Sequence, residues 1–380
     1  MCCPCGCSSS NSNSGPSSNS SPDCPSGNCP CKPITAIKLV SVTFKSDHAL
    51  LKDHDADWAD GGKRFPKPEW TPASQHPVSH TMDTIVQLEV EIEVTPSNAC
   101  PETGTLQGTG PGGMVFKKTG VSFGPGKSKI ALQSDKKLEK KIQELDFSIN
   151  WTTTGTSVSL SPSKTSNKMF VTMGTPTTPR QPGVTLKRMR HAVKATGSAN
   201  SLDPHKIVEK VMSKWSTFNL SQVYDNEWEL AGDARDPVTG RLIGADCQTI
   251  VRHTESVIRM IGCPGTAEFI VVWAKVPTPT HGEENPAYTP NVANPKQFYN
   301  SFRPFDPART NWRATLVDGN GGTNKFEACL RFTHGGVKKY YAGGVGRKDD
   351  ANQVIQVFTT MTWVDEGVGA LTTVHIYRYR

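Results

Sequence analysis

The stretch Ile85-Val86-Gln87-Leu88-Glu89-Val90-Glu91-Ile92-Glu93-Val94 sets an apolar side chain at every second position from Val86 onward, with a carboxylate or amide between each pair. Side chains of a strand point alternately to its two faces, so this pattern predicts a strand with one face in a core and one in water. Thr35-Ala36-Ile37-Lys38-Leu39-Val40-Ser41-Val42-Thr43-Phe44 alternates in the same way. Val115-Phe116, Ser128-Lys129-Ile130-Ala131-Leu132, Leu145-Asp146-Phe147-Ser148-Ile149-Asn150-Trp151 and Lys168-Met169-Phe170-Val171-Thr172-Met173 continue the series, with turns such as Gly110-Pro111-Gly112-Gly113 and Gly124-Pro125-Gly126 between them. Short strands divided by Pro/Gly turns predict an all-β sandwich of immunoglobulin-like type over residues 34–178. No Cys…Trp…Cys framework is present, so an antibody-type domain is not implied.

Ahead of the strands the composition changes. Residues 8–23 are almost wholly Ser, Asn, Pro and Gly, which cannot bury a core and read as a flexible linker. Seven of the eleven cysteines, Cys2, Cys3, Cys5, Cys7, Cys24, Cys29 and Cys31, lie in the first 31 residues. Thiolates this close suit a soft metal ion or cross-linking to one another, and acylation would attach the chain reversibly to a membrane. Their spacing fits none of the usual zinc-finger patterns. Residues 1–33 are expected to be a Cys-rich, disordered segment with Cys24, Cys29 and Cys31 as candidate metal ligands, against the alternative of a tail with adventitious thiols. The other four, Cys100, Cys247, Cys263 and Cys329, are scattered without an export signal and are expected to be reduced.

Several function classes fall away. The 380 residues suggest two or three domains, and mean hydropathy is −0.45. No apolar run reaches the roughly 18 residues that a transmembrane helix needs. Met1-Cys2-Cys3-Pro4-Cys5-Gly6-Cys7 has neither a basic nor an apolar leader region, so no Sec signal peptide is expected. A soluble protein, cytoplasmic or exported by a signal-independent route, is the expectation. The 42 Lys+Arg against 35 Asp+Glu give a net charge of +7 and a pI near 8.8, below the value of about 9 that marks a dedicated nucleic-acid module. No nucleic-acid partner is expected. Asp53-His54-Asp55-Ala56-Asp57 with Asp60-Gly61 alternates carboxylates, but Trp58 stands where a calcium loop turns on Gly, and a solvated acidic loop is expected.

Thr175-Pro176-Thr177-Thr178-Pro179-Arg180-Gln181-Pro182-Gly183 reads as a linker, and residues 179–380 form the next unit. Leu186, Met189, Arg190 and Val193 suit a short helix, whose basic run Lys187-Arg188-Met189-Arg190-His191 with Lys194 is expected to face solvent. Ser201-Leu202-Asp203-Pro204 opens a second helix with Ile207, Val208, Val211, Met212 and Trp215 on one face. Asp246 caps a third, from Cys247 to Ile261, stopped by Gly262-Cys263-Pro264-Gly265. Strands follow over 267–276, 326–332, 337–342, 354–364 and 371–379, with Thr333-His334-Gly335-Gly336 as a hairpin turn. The Pro/Asn-rich stretch between Val276 and Asn324 is a candidate lid or binding loop. This unit is α+β, helices first and an antiparallel sheet after.

Cys247 carries the one chemical hypothesis. Positions 247, 251, 254, 258 and 261 share a helical stripe, so the cysteine starts the buried face. At a helix N-terminus unpaired N–H groups and the dipole lower a thiol's pKa, and the same N–H groups can hold an oxyanion. The bland alternative is a small apolar side chain beginning a core stripe.

Gly244-Ala245-Asp246-Cys247 opening an amphipathic helix, Met260-Ile261-Gly262-Cys263-Pro264-Gly265 closing it, and the strand over 268–274 resemble the core of transglutaminase-like proteins. The resemblance covers roughly residues 200–345. It implies a papain-like cysteine fold, with a nucleophile helix packed on an antiparallel sheet. The family sets its His at the start of the next strand and its Asp at the end of the one after. Here Asn324 of Asn324-Lys325-Phe326-Glu327-Ala328-Cys329 stands where the His belongs, and Lys338-Lys339-Tyr340-Tyr341-Ala342-Gly343-Gly344 has no Asp. A thiol without a base is a poorer nucleophile. His281, in the long loop, and His334, in the hairpin, are the candidate bases, with Glu327 a candidate partner; His253 lies on another helix face from Cys247.

Two function classes compete. One is a cysteine-dependent acyl-transfer enzyme, an amidase, peptidase or transglutaminase acting on a protein or peptide without a cofactor. The other is a non-catalytic binding or structural protein that joins a degenerate transglutaminase-like domain to a sandwich interaction module. Metal binding at the N-terminal cysteines would be a third, separate role.

Overall fold

The computed structural model describes residues 31–53, 63–178, 183–197, 201–214, 234–235, 242–244, 247–273, 326–342, 346–349 and 373–377. The first half holds β1 (Ala36–Phe44), β2 (Lys52–Asp53), β3 (Lys63–Arg64), β4 (Trp70–Thr71), β5 (Ser74–Gln75), β6 (Val78–Thr81), β7 (Ile85–Thr95), β8 (Glu102–Thr109), β9 (Val115–Phe123), β10 (Gly126–Lys137), β11 (Gln143–Thr154), β12 (Leu160–Ser161) and β13 (Lys164–Thr172). After it come α1 (Leu186–Thr196), α2 (Pro204–Lys214), β14 (Ala234–Arg235), β15 (Leu242–Gly244) and α3 (Cys247–Met260). The last strands are β16 (Thr266–Trp273), β17 (Phe326–His334), β18 (Val337–Ala342), β19 (Gly346–Lys348) and β20 (Thr373–Tyr377). The protein is thus mostly β, and none of its described helices is long and apolar enough to cross a membrane.

Alternation writes β7 as expected: Val86, Leu88, Val90, Ile92 and Val94 are buried. On the opposite face Glu89 meets Lys45 at 3.1 Å and Lys129 at 3.2 Å, and Glu91 meets Lys127 at 3.8 Å. Strand β7 belongs to one 11-stranded sheet in the order β5-β4-β1-β7-β10-β9-β8-β11-β13-β6, with β12 beside β1. The join is visible in β10, whose Gly126 to Gln133 pair with β7 and whose Ser134 pairs with Phe116 of β9, inside a register shift that ends at Lys137 opposite Ile85. At that corner the Ser134 hydroxyl accepts from Val86 N (3.0 Å) and donates to Lys136 O (2.6 Å), which satisfies backbone groups that the ladder gives up. The sheet curls until Leu160 of β12, which follows β11 in sequence, lies beside Ile37 of β1. One apolar core fills the curl, with Phe44, Phe116, Phe123 and Trp151 among its largest members.

Two expectations about cysteines are corrected here. Cys31 and Cys100 form a disulfide, with Cα atoms 5.0 Å apart. The antiparallel pairing of Ala36 with Thr95 brings the residues before β1 beside those after β7. Lys32 N donates to Asn98 O (2.9 Å) and Cys100 N to Lys32 O (2.8 Å), which aligns the two side chains. Cys31 is therefore no thiolate ligand in this structure, and Cys100 is not reduced. Cys24 and Cys29 lie outside the described residues, as does most of the acidic loop.

In the second half a five-stranded antiparallel sheet, β19-β18-β17-β16-β20, supports α3, and α1 and α2 pack on that helix. Thr185 caps α1 by accepting from Arg188 N at 3.2 Å, and Asp203 starts α2 by accepting from His205 N at 2.9 Å. The basic run of α1 is not wholly solvated: Arg188 and His191 are buried while Arg190 and Lys194 stay exposed. The reason is that α1 lies between β11 and β13 on one side and α3 on the other. Helix α3 likewise exceeds its single expected stripe, since His253, Glu255, Ser256 and Val257 are buried along with Val251, Thr254 and Ile258.

The described part of the Pro/Thr stretch is tied to α3. Met173 N donates to Ile261 O (2.9 Å) and Thr177 N to Arg259 O (3.0 Å).

Candidate functional site

The site begins with the backbone of α3. Its first residue is Cys247, three positions after β15, and the leading N–H groups of a helix have no intrahelical acceptors. The Cys247 side chain lies outside the described residues.

The other end of α3 is fixed in detail. Gly262 takes φ +61° and its N–H donates to Arg259 O (3.0 Å), while Cys263 N donates to Ile258 O (2.9 Å), a left-handed stop that suits glycine. Arg259 Nη2 donates to Ala267 O at 3.2 Å, which ties the last helical turn to the start of β16. From there β16 pairs with β17 in register, from Thr266 opposite Thr333 to Trp273 opposite Phe326. The helix has 14 residues, a length of about 21 Å at about 1.5 Å per residue. His334 follows Thr333 at the hairpin, where it pairs with Val337, so it stands at the end of the layer where α3 stops. The structure does not bring His334 to the start of α3. Asn324 and His281 lie outside the described residues.

The described histidines have other partners. His253 Nε2 lies 2.9 Å from Nε2 of His191 on α1, which turns the His253 ring toward α1. Burial pushes His191 down to about 4 and holds His253 well below the usual histidine range, so both rings are neutral near pH 7. His205 Nδ1 lies 2.7 Å from the Tyr341 hydroxyl, and burial raises that phenol above its ordinary value. Arg347 pairs with Glu209 of α2 nearby. In the first half His48 sits between Ser79 Oγ (3.1 Å) and Thr81 Oγ1 (3.0 Å), and His80 is buried against Phe44, pushed down to about 4 by that burial.

The other body cysteines are poor nucleophiles. Cys329 is buried on β17, and Cys100 is oxidised. Burial, with Asp203 adding to it, pushes the Cys263 thiol up to about 12. Cys263 borders a cavity of about 380 Å³ at the end of α3, which Thr175, Thr177, Arg259, Thr266 and Phe332 also line.

Sequence reasoning missed the His191–His253 and His205–Tyr341 pairs. Each joins segments 62 and 136 residues apart, respectively, and no local pattern announces such a contact. In comparisons with known proteins, no family model matches the chain, and no curated protein matches it.

Proposed function

We propose that the chain is a cysteine-dependent acyl-transfer enzyme, an amidase, peptidase or transglutaminase, that uses Cys247 on a protein or peptide amide. The same reading takes residues 34–178 as an immunoglobulin-like module and residues 179–380 as a transglutaminase-like domain. One observation carries it: Cys247 is the first residue of α3, the helix on which two other helices and a five-stranded sheet converge. There a thiolate would attack the amide carbonyl carbon while leading N–H groups of α3 hold the oxyanion. The C–N bond then breaks as the amine takes a proton, and the thioester passes its acyl group to water or to an amine. Asn324 would orient the polar groups of the site, and His281 or His334 would act as base. No cofactor enters this chemistry. A metal ion at the N-terminus, a separate proposal, would draw on Cys24 and Cys29 without Cys31.

The test is site-resolved alkylation of the native chain with iodoacetamide near pH 6.5, read by mass spectrometry. Cys247 should label at least about tenfold faster than Cys263 and Cys329, because a depressed pKa raises the thiolate fraction. Labelling of Cys247 only after denaturation would overturn the reading.

The histidine geometry favours the second reading, a non-catalytic binding or structural protein. His253 is turned to α1 and His334 stands where α3 ends. On that reading Cys247→Ala leaves function intact and destabilises the fold by about 1 kcal/mol or more, as a large-to-small change in a packed core does.

A further inference from the structure

Helix α1 touches both halves of the protein through adjacent residues. Arg190 Nε pairs with Glu144 of β11 at 3.2 Å, while His191 meets His253 of α3 across a 2.9 Å contact between Nε2 atoms. The two rings are edge to face, 76° apart, and only 8% and 3% exposed. A hydrogen bond between two Nε2 atoms needs opposite tautomers, one ring carrying the proton and the other the lone pair. Protonating the acceptor ring removes that lone pair. Protonating the donor ring on its other nitrogen leaves a cation in a buried site.

The charges on the packed elements do not favour such a cation. Lys194, three residues along α1, opposes it. On α3 Glu255 is held by Arg259 at 2.7 Å, and on α2 Glu209 is held by Arg347 and by Lys206 at 3.4 Å. On β11 Glu144 is shared between Arg190 and Lys168 of β13, the latter at 3.6 Å. Arg188, also on α1, donates to Gly183 O at 2.8 Å.

We propose that the His191–His253 contact is an acid-sensitive latch: it holds α1 between the curled sheet and α3 at neutral pH and releases it in mildly acidic surroundings. The latch is independent of any chemistry at Cys247. Burial lowers both histidines in the folded state, so the unfolded or opened state binds protons more readily. The stabilisation is therefore complete above about pH 6.5, the ordinary histidine value, and falls progressively toward pH 4. His48 and His80 of the first half are lowered in the same direction, so the readout has to be local.

Hydrogen exchange of the full chain, followed by mass spectrometry and corrected for intrinsic exchange, supplies that readout. Between about pH 7 and pH 5 the peptide spanning Leu186–Thr196 should lose about tenfold or more of its protection, since each proton linked to opening changes the equilibrium up to tenfold per pH unit. In the double variant His191→Phe, His253→Leu that loss should vanish while the β6 peptide carrying His80 keeps its own response. A wild-type α1 whose protection is unchanged from pH 7 to pH 5, or a double variant that loses it equally, overturns the latch. Should the double variant fail to fold, ring ¹⁵N shifts of the wild type at pH 7 decide: opposite neutral tautomers are expected, and two identical tautomers or a cationic ring overturn it.

Discussion

The outer face of the curled sheet and the surface of α3 handle their polar side chains in opposite ways. Along β7 every second residue from Gln87 to Glu93 is a carboxylate or amide that faces outward, and Glu89 and Glu91 pair with Lys45, just past β1, and with Lys127 and Lys129 of β10. Along α3 His253, Thr254, Glu255 and Ser256 are all buried under α1 and α2 or against the sheet. A sheet with one wet face needs only period-two alternation to fix its register. A helix covered on several sides must match each polar group to a partner, and those partners arrive from distant segments. The first half should therefore be stabilised by its apolar core and by topology, the second by specific pairings.

The strongest attack on that contrast is to open the Cys31–Cys100 disulfide, which joins residues 69 positions apart. Loop-closure entropy for a loop of that length amounts to about 4 kcal/mol. Cys100→Ser, or reduction of the wild type, should lower the urea midpoint accordingly. Hydrogen exchange should show the loss in β1 and β7 while α3 keeps its protection. Equal losses in α3 would mean that the two regions share one stability, and the contrast would fail.

What was legible in the sequence follows the same division. Alternation identified β1 and β7, apolar spacing identified α1, and start signals identified α2 and α3, Asp203 before α2 among them. Strand β8, with the sequence ETGTLQGT, carries no alternation and was not foreseen. Its glycines are there for close approach: a Cβ on Gly108 would lie 2.7 Å from the Trp151 ring, its cross-strand partner. The continuous pairing of these strands through β10 also escaped the pattern, because the corner in β10 is a matter of hydrogen-bond pairing and not of residue type. At the candidate site the helix start at Cys247 was readable from Asp246 and the stripe that follows. The placement of His253 was not, because its side-chain partner belongs to α1.

A second test falls where the halves meet. Gly262 has φ +61°, and a Cβ there would come within 2.2 Å of the Gly174 carbonyl carbon, a backbone atom that cannot move aside. A non-glycine residue in the left-handed region costs about 1–2 kcal/mol, and overpacking adds about 1–3. Gly262→Ala should thus cost on the order of 3 kcal/mol. If the halves are stabilised separately, the loss should concentrate at the end of α3 and at residues 173–177, and thermal unfolding should broaden or split. A uniform downward shift of one sharp transition would instead show that the junction is part of a single cooperative unit.

The smallest effect probes the wet face itself. Glu89 is bridged by Lys45 at 3.1 Å and Lys129 at 3.2 Å, and those lysine side chains are 47% and 63% exposed. The hydrogen bond from Lys45, with help from Lys129, holds the Glu89 carboxyl below its usual value. A depressed carboxylate contributes stability above the unfolded value of about 4.3 and loses it as pH falls through the folded value. Exposed pairs of this kind are worth about 0.2–1 kcal/mol. Lys129→Ala should therefore cost less than about 1 kcal/mol at pH 7 in low salt, measured by urea denaturation beside wild type. The difference should shrink in about 1 M salt, where the screening length is about 3 Å, and vanish once acid has protonated the Glu89 carboxyl. A cost above about 2 kcal/mol that survives high salt would place the ladder among the specific pairings on which the sheet depends. The outer face of β7 would then resemble α3 more than it differs from it.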